Sequence, residues 1–151
     1  MHALAAIEIP PGPGPWKPIE TRLRTYVDNP ADSLAFAGRA LTHTDWMPDN
    51  ILISHGRAWL VDWAWATPGA GWTDPAFWLL RLMARGHTAE QAEAFAARLP
   101  AYAAADPAHI DVFARANVRM WDEIEQSNES PWAKTMARTA RTWARHRQAI
   151  P

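Results

Sequence analysis

The sequence predicts an α+β domain that is mainly helical and carries one small β-hairpin. Two short apolar segments, 51–53 and 59–61, are rich in β-branched and aromatic residues, and a tight turn with Gly56 separates them. Several other stretches begin with a residue that caps a helix and continue with apolar residues at helical spacing. These capping residues are Asp74, Thr88, Asp106 and Ser130.

Length and composition restrict the class of protein. The chain has 151 residues, 48% of them hydrophobic and 21% charged, which is ordinary for one globular domain. A net charge of -1 gives no basis for nucleic-acid binding, and cysteine is absent. No apolar run is long enough to span a membrane, and no signal peptide is recognisable. We therefore expect a cytoplasmic protein that binds neither membrane nor nucleic acid.

The N-terminal part divides into an extended segment and short helices. We expect a Pro-rich segment over residues 1–30 and one domain over residues 31–151. Residues 19–27 and 31–40 each fit a short helix, with a break at Asp28-Asn29-Pro30. Proline excludes a helix before residue 19. The prolines concerned are Pro10, Pro11, Pro13, Pro15 and Pro18.

The C-terminal part after the hairpin is predicted to be helical. Residues 64–71 hold two glycines and a proline and are predicted to form a loop. Asp74 is predicted to cap a buried helix over 76–83, which Gly86 ends. Thr88 and Gln91 form a capping box for the next helix. The last helix has an apolar face and a basic face.

Three polar residues stand on the connection before the hairpin, and a fourth follows its second strand. The pattern is His43-x-Asp45-x-x-x-x-Asn50, then the hairpin, then Asp62. Kinase-type phosphoryl transfer uses such groups in this order: an Asp for the acceptor hydroxyl, an Asn for a metal, and a second Asp for the metal. Because a hairpin returns its ends to one edge, Asn50 and Asp62 are expected to lie close together, and their oxygen atoms suit Mg²⁺.

A longer stretch, roughly 40–82, resembles the C-terminal lobe of the aminoglycoside phosphotransferase and choline-kinase-like family. That family carries H-G-D-x-x-x-x-N, then I-D-W, then D-x-A at the start of a helix. The resemblance implies that Asp45 is the catalytic base and that Asn50 and Asp62 bind Mg²⁺. It also implies that His43 and Asp74 support the catalytic loop. The departures are Thr44, where the family usually has Gly, and Asp49, where a small or neutral residue is common.

Nothing before His43 resembles the phosphate-covering loop or the strand Lys of a kinase N-terminal lobe. We therefore expect a kinase-like C-lobe without its N-lobe. The predicted function is an ATP- and Mg²⁺-dependent phosphotransferase acting on a small-molecule hydroxyl group, in truncated form. The alternative is a non-catalytic remnant or half-enzyme, which binds a partner that supplies the N-lobe or a second copy of the chain. An exposed apolar surface at the docking position would favour that alternative.

Ten tryptophans are unusual for this length. Some of them surround the presumed site and are candidates for a substrate pocket, namely Trp46, Trp63, Trp65 and Trp72. Others lie on helix faces and are predicted to be core, namely Trp78, Trp121, Trp132 and Trp143. A Trp-rich saccharide-binding module is a further alternative, because aromatic rings offer flat apolar faces. It would bind glycan without Mg²⁺ or nucleotide.

Two smaller hypotheses concern charge and metal. His and carboxylate groups bind Zn²⁺, so a transition-metal site is conceivable, although His55 stands at the far end of the hairpin. Its ligands would be His43, Asp45, His55 and Asp62. An acidic group on the predicted fifth helical stretch could attract a cationic substrate, or could pair with the basic face of the last helix. Its members are Asp122, Glu123, Glu125 and Glu129.

Overall fold

The computed structural model describes residues 6–9 and 16–150. Its α-helices in chain order are α1 (Ile19–Leu23), α2 (Thr73–Ala84), α3 (Ala89–Ala96), α4 (Pro100–Ala103), α5 (Pro107–Ser127) and α6 (Pro131–Gln148). Its strands are β1 (Ala40–Thr42), β2 (Ile51–Ser54), β3 (Arg57–Leu60) and β4 (Thr67–Gly69). Short 3₁₀ turns cover Arg24–Tyr26, Pro30–Phe36 and Pro48–Asn50. The mainly helical α+β class is confirmed.

Two small antiparallel sheets replace the single hairpin of the sequence prediction. Strands β2 and β3 form the predicted hairpin, with Ile51 opposite Leu60. Its turn residues His55 and Gly56 have φ values of 49° and 71°, the combination of a tight two-residue hairpin turn. Strands β1 and β4 form the second sheet, which the sequence interpretation missed. Pro68 made a strand at β4 unexpected from the sequence. Both strands of a two-stranded sheet are edge strands, however, and proline is tolerated there.

The core is an aromatic cluster centred on Phe113 of α5. Its ring makes edge-to-face contacts with rings from four other segments, at centroid distances of 4.9–6.3 Å. Such contacts add to the hydrophobic stabilisation that burial itself provides. The partners are Phe36, Trp72, Phe77 and Trp143. Trp143 is fully buried, as predicted, whereas Trp72 is core rather than pocket wall.

Most helix starts follow the predicted caps. The Thr88–Gln91 capping box is present, and the side chains of Asp106 and Ser130 accept backbone N–H bonds at the starts of α5 and α6. Asp74 is the exception, because α2 begins one residue earlier, at Thr73, and Asp74 lies inside its first turn. The predicted N-cap is therefore wrong. Within the described ranges, no helix is long and apolar enough to cross a membrane.

Helix α1 belongs to the packed body. Its residues Ile19 and Leu23 are buried in the same core as the C-terminal helices. Gly69 of β4 makes this packing possible, since a Cβ atom there would lie 2.6 Å from a methyl group of Ile19. The Pro-rich segment predicted over residues 1–30 thus contains part of the packed body from Ile19 onward. Pro10, Pro11, Pro13 and Pro15 lie outside the described residues.

The acidic group of α5 is largely tied to basic or hydroxyl partners. Arg141 of α6 lies 2.7 Å from a carboxylate oxygen of Asp122 and 2.8 Å from one of Glu125. The Tyr26 hydroxyl donates to Glu123 at 3.2 Å. The acidic group therefore pairs with the basic face of the last helix, which was one of the two predicted alternatives. Glu123 and Glu129 nevertheless stay exposed.

Candidate functional site

The loop after β1 is held by the carboxylate of Asp74. The backbone N–H of His43 donates to one carboxylate oxygen at 2.8 Å, and that of Thr44 donates to the other at 2.9 Å. Asp74 is 3% exposed. Burial raises the pKa of its carboxyl above the usual range, while these bonds and the nearby indole N–H of Trp46 act in the opposite direction. Asp74 therefore ties helix α2 to the loop that carries Asp45.

The ring of His43 links the same loop to the end of the hairpin. His43 is fully buried, and its Nε2 lies 2.9 Å from the carbonyl oxygen of Val61. Because a carbonyl only accepts, Nε2 carries the proton. Nδ1 then accepts from the backbone N–H of Asp45 at 3.3 Å. Both ring nitrogens are occupied, so His43 positions the chain and has no lone pair left for a metal or a substrate.

Thr44 takes the place of the glycine expected from the family resemblance, and its backbone has the positive φ that glycine adopts easily. Its φ is 65°, a left-handed conformation that is strained for a β-branched residue. The side chain compensates, because its Oγ1 donates to the carbonyl of Trp65 at 3.0 Å and accepts from Arg22 at 3.1 Å. The threonine is thus tolerated through two contacts that glycine would lack.

This compensation gives a first prediction. Thr44→Ala keeps the positive φ and loses both side-chain hydrogen bonds, whereas Thr44→Gly loses the bonds but relieves the strain. We expect the Gly variant to be more stable than the Ala variant by about 1 kcal/mol. Urea unfolding followed by tryptophan fluorescence measures the difference. An Ala variant as stable as the Gly variant would show that the left-handed backbone costs nothing here.

Asp45 and Asn50 are in direct contact. The amide Nδ2 of Asn50 donates to both the backbone carbonyl and the Oδ2 of Asp45, each at 3.0 Å. The two acceptors fix which end of the amide faces Asp45. The Oδ1 of Asn50 consequently points away, and no described residue donates to it. Asn50 thus orients Asp45 and presents one oxygen atom to other groups.

Asp62 lies at the same end of the hairpin as Asn50. The backbone N–H of Val61 donates to the carbonyl of Asn50 at 2.9 Å, which extends the β2–β3 ladder by one pair. Asp62 follows directly, is exposed, and has a φ of 59°. One carboxylate oxygen accepts from the Ala64 N–H at 3.3 Å. Asn50 and Asp62 therefore stand at the same end of the hairpin, as the sequence predicts.

Arg81 of α2 is a site residue that the sequence interpretation missed. Its Nη2 lies 3.5 Å from Oδ1 of Asp45, and its side chain is 13% exposed. The guanidinium lies over the rings of Trp121 and Trp132, at 5.5 and 5.1 Å from their centroids. Burial lowers its pKa, and Asp45 opposes that shift. A lone arginine inside the apolar stretch 76–83 was the signal that could have identified it.

A pocket of about 830 Å³ opens beside Asp45. Its walls come from α1, the loop before β4, α2 and α5, and most of them are apolar or aromatic. The charged side chains among its described walls are Lys17, Arg22, Asp45 and Arg81. A volume of this size accommodates a small organic molecule.

The predicted pocket tryptophans are only partly in this wall. Trp65 lines the pocket, but Trp46 and Trp72 are 6% and 7% exposed and belong to the core. Trp63 lies against the ring of His43 at 4.9 Å. Trp121 belongs to the core, as predicted, and also borders the pocket. Closeness to Asp45 in the sequence did not place Trp46 in the pocket, because its ring is buried and packs near the ring of His43.

The transition-metal hypothesis is not supported by the placement of its ligands. In the described part of the chain, no group of three or more His, Asp or Glu residues is placed to hold a metal ion. Both nitrogens of His43 are engaged, and His55 forms the hairpin turn.

Comparison with known proteins gives no match: no protein-family model, curated protein or solved structure matches the chain. The functional assignment therefore depends on the geometry of the site itself.

Proposed function

We propose that this chain is the catalytic half of an ATP- and Mg²⁺-dependent phosphotransferase whose acceptor is a small-molecule hydroxyl group, similar to the C-terminal lobe of the aminoglycoside phosphotransferase and choline-kinase-like family. The observation that carries the proposal is the linked arrangement of Asp45, Asn50 and Asp62. One hydrogen-bonded loop and one hairpin end hold these residues, and Asp45 also lines the pocket. Phosphoryl transfer depends mainly on such positioning.

In this proposal Asp45 orients the acceptor hydroxyl and takes its proton. The acceptor oxygen forms a bond to the γ-phosphorus of ATP, the bond from that phosphorus to the bridging β–γ oxygen breaks, and ADP leaves. The contact with Asn50 directs the carboxylate of Asp45, and the guanidinium of Arg81 lies 3.5 Å from it. Asp45 lines the pocket, which would hold the acceptor in this proposal.

The donor atoms at the hairpin end fit Mg²⁺. Asn50 offers an amide oxygen whose orientation is fixed, and Asp62 offers an exposed carboxylate. Mg²⁺ is commonly held by one or two protein oxygens together with water and phosphate oxygens. When bound, the ion would neutralise phosphate charge. Two protein ligands are therefore sufficient for this chemistry.

The hairpin itself favours the half-enzyme alternative as the state in which the chain works. Several of its large apolar side chains are exposed, by 53% for Leu52, 78% for Ile53 and 55% for Trp59. A two-stranded ribbon with exposed apolar residues is a poor free surface. In a kinase-like arrangement this is the region that the nucleotide-covering lobe would contact. A partner that supplies that lobe, or a second copy, is consistent with it.

The metal assignment is tested by replacing Asp62. We expect Asp62→Ala to weaken the Mg²⁺-dependent binding of ATP at least about tenfold, because one of two protein oxygens on the ion is lost. Isothermal titration calorimetry with and without Mg²⁺ measures this. Asp62 is exposed, but its φ of 59° strains an alanine there, so a urea unfolding curve checks the fold of the variant before titration.

The matched control for this experiment is Asp49→Ala. Asp49 is exposed and lies in the neighbouring 3₁₀ turn. Its replacement by alanine removes the same charge as Asp62→Ala but does not remove a proposed metal ligand. Its Mg²⁺-dependent ATP affinity should equal that of the unmodified chain. Equal affinities of the Asp62 variant and the unmodified chain would refute the metal site.

A further inference from the structure

We propose that the pocket beside Asp45 selects an acceptor with a flat apolar body and an anionic group, such as a carboxylate. The description of this ligand as the acceptor depends on the proposed function. The selection itself follows from the walls of the pocket, and it predicts a substrate class opposite in charge to the cationic substrate considered from the sequence.

The apolar part of the preference comes from aromatic walls. Rings from five different positions border the pocket, and they present faces and edges that suit a planar ligand. These residues are Trp16, Tyr26, Trp65, Phe77 and Trp121. Met120 and Ile124 of α5 add aliphatic surface between them. A flexible, highly hydrated polyol would gain little from such walls.

The charge preference comes from an excess of cations. Lys17, Arg22 and Arg81 line the pocket, and Asp45 is the acidic residue among its described walls. Arg81 is paired with Asp45, so these two charges largely cancel. No described carboxylate lies within ion-pair distance of Arg22 or Lys17. The remaining charge of the described walls is therefore positive.

Arg22 is placed to receive an anion close to Asp45. Its Nη1 donates to the carbonyl of Trp65 at 3.0 Å and to Oγ1 of Thr44 at 3.1 Å, and its guanidinium lies 5.4 Å from the centroid of the Trp65 ring. No described residue accepts from its Nη2 or Nε. Thr44 directly precedes Asp45, so the fixed cation stands beside the proposed base. Arginine binds carboxylates well in such a preorganised position.

The nearby acids do not reverse this preference. Glu123 is not among the lining residues, and it accepts from the hydroxyl of Tyr26, which is one of them. Asp122 and Glu125 are paired with Arg141 on α6. None of these three carboxylates lines the pocket, whereas Arg22 does, so an anionic ligand meets a cation there directly.

The test uses two probes of opposite charge and nearly the same shape, 3-(4-hydroxyphenyl)propionate and tyramine. Each is titrated into the full chain without nucleotide or Mg²⁺, and binding is followed by ligand-observed NMR. We expect the propionate to bind at least about tenfold more tightly, since it gains a charge-assisted hydrogen bond. Equal or tighter binding of tyramine, or no binding of the propionate at millimolar concentration, would overturn the proposal.

Arg22→Met and Arg24→Met form a matched pair of variants within one helical segment. Arg22 lines the pocket and Arg24 does not. Affinity for the propionate should fall at least about fivefold in the first variant and stay unchanged in the second. A propionate preference that persists in Arg22→Met would also overturn the proposal. The comparison of the two probes on the unmodified chain needs no variant, so it decides even if Arg22→Met is unstable.

The result separates this proposal from the proposed function. A preference for the propionate, combined with ATP binding that ignores Asp62, would leave an anion-selective pocket without a phosphotransferase. Mg²⁺-dependent ATP binding combined with a preference for tyramine would leave a phosphotransferase with a cationic acceptor.

Discussion

Replacing Asp74 with asparagine is expected to lower the free energy of unfolding by about 3 kcal/mol. The carboxylate accepts the backbone N–H groups of both His43 and Thr44, one on each oxygen. An amide has one oxygen, so its NH₂ group would face one of these donors. Because Asp74 is buried, water cannot take over the lost bond. Urea unfolding followed by tryptophan fluorescence measures the loss.

Asp49→Asn is the control for this change. It is the same chemical substitution at an exposed position of the same region, where no buried donor depends on the carboxylate. Its stability should stay within about 0.5 kcal/mol of the unmodified chain. A loss below about 1 kcal/mol in Asp74→Asn would mean that the loop is held by other contacts and that α2 does not position Asp45.

Asp45→Asn is expected to reduce phosphoryl transfer at least about 100-fold while leaving the affinity for Mg²⁺ and ATP nearly unchanged. The amide cannot take the proton of the acceptor, but its oxygen can still accept from Asn50, so the loop geometry should persist. The rate is measured as the transfer of phosphate from radiolabelled ATP to 3-(4-hydroxyphenyl)propionate. Calorimetry measures the affinity for Mg²⁺ and ATP.

The two readouts separate catalysis from folding. Parallel loss of transfer and of ATP affinity would indicate that the variant is misfolded, since Arg81 would have lost its charged partner. Equal transfer rates in Asp45→Asn and in the control Asp49→Asn would contradict the assignment of Asp45 as the base.

Much of the fold was predictable because the signals are local. The hairpin follows from strand-forming residues on both sides of a turn that accepts positive φ, and the starts of α3, α5 and α6 follow from capping side chains. Asp74 shows the limit of this reasoning. Its position before Pro75 is typical of a cap, but its carboxylate bonds to a loop 30 residues earlier. A long-range partner overrode a local preference.

The sequence suggested the part of the candidate site that lies within one segment, but not the residues that other helices contribute. Asp45, Asn50 and Asp62 belong to one segment, so their spacing carried the prediction. Arg22 and Arg81 come from two helices, and only the folded chain brings them to the same pocket. The tryptophans show the same limit, because Trp46 enters the core and Trp65 stays at the surface although both flank the hairpin.

The turn at the tip of the hairpin offers a place to modify this protein without altering its chemistry. Ser54 and Arg57 flank the turn and are exposed, whereas Gly56 has a φ of 71° that a side chain would strain. Asn50 and Asp62 stand at the opposite end of the same ribbon. A fluorophore or a tether attached at the tip would therefore share a rigid ladder with the candidate metal ligands, yet remain several residues away from them.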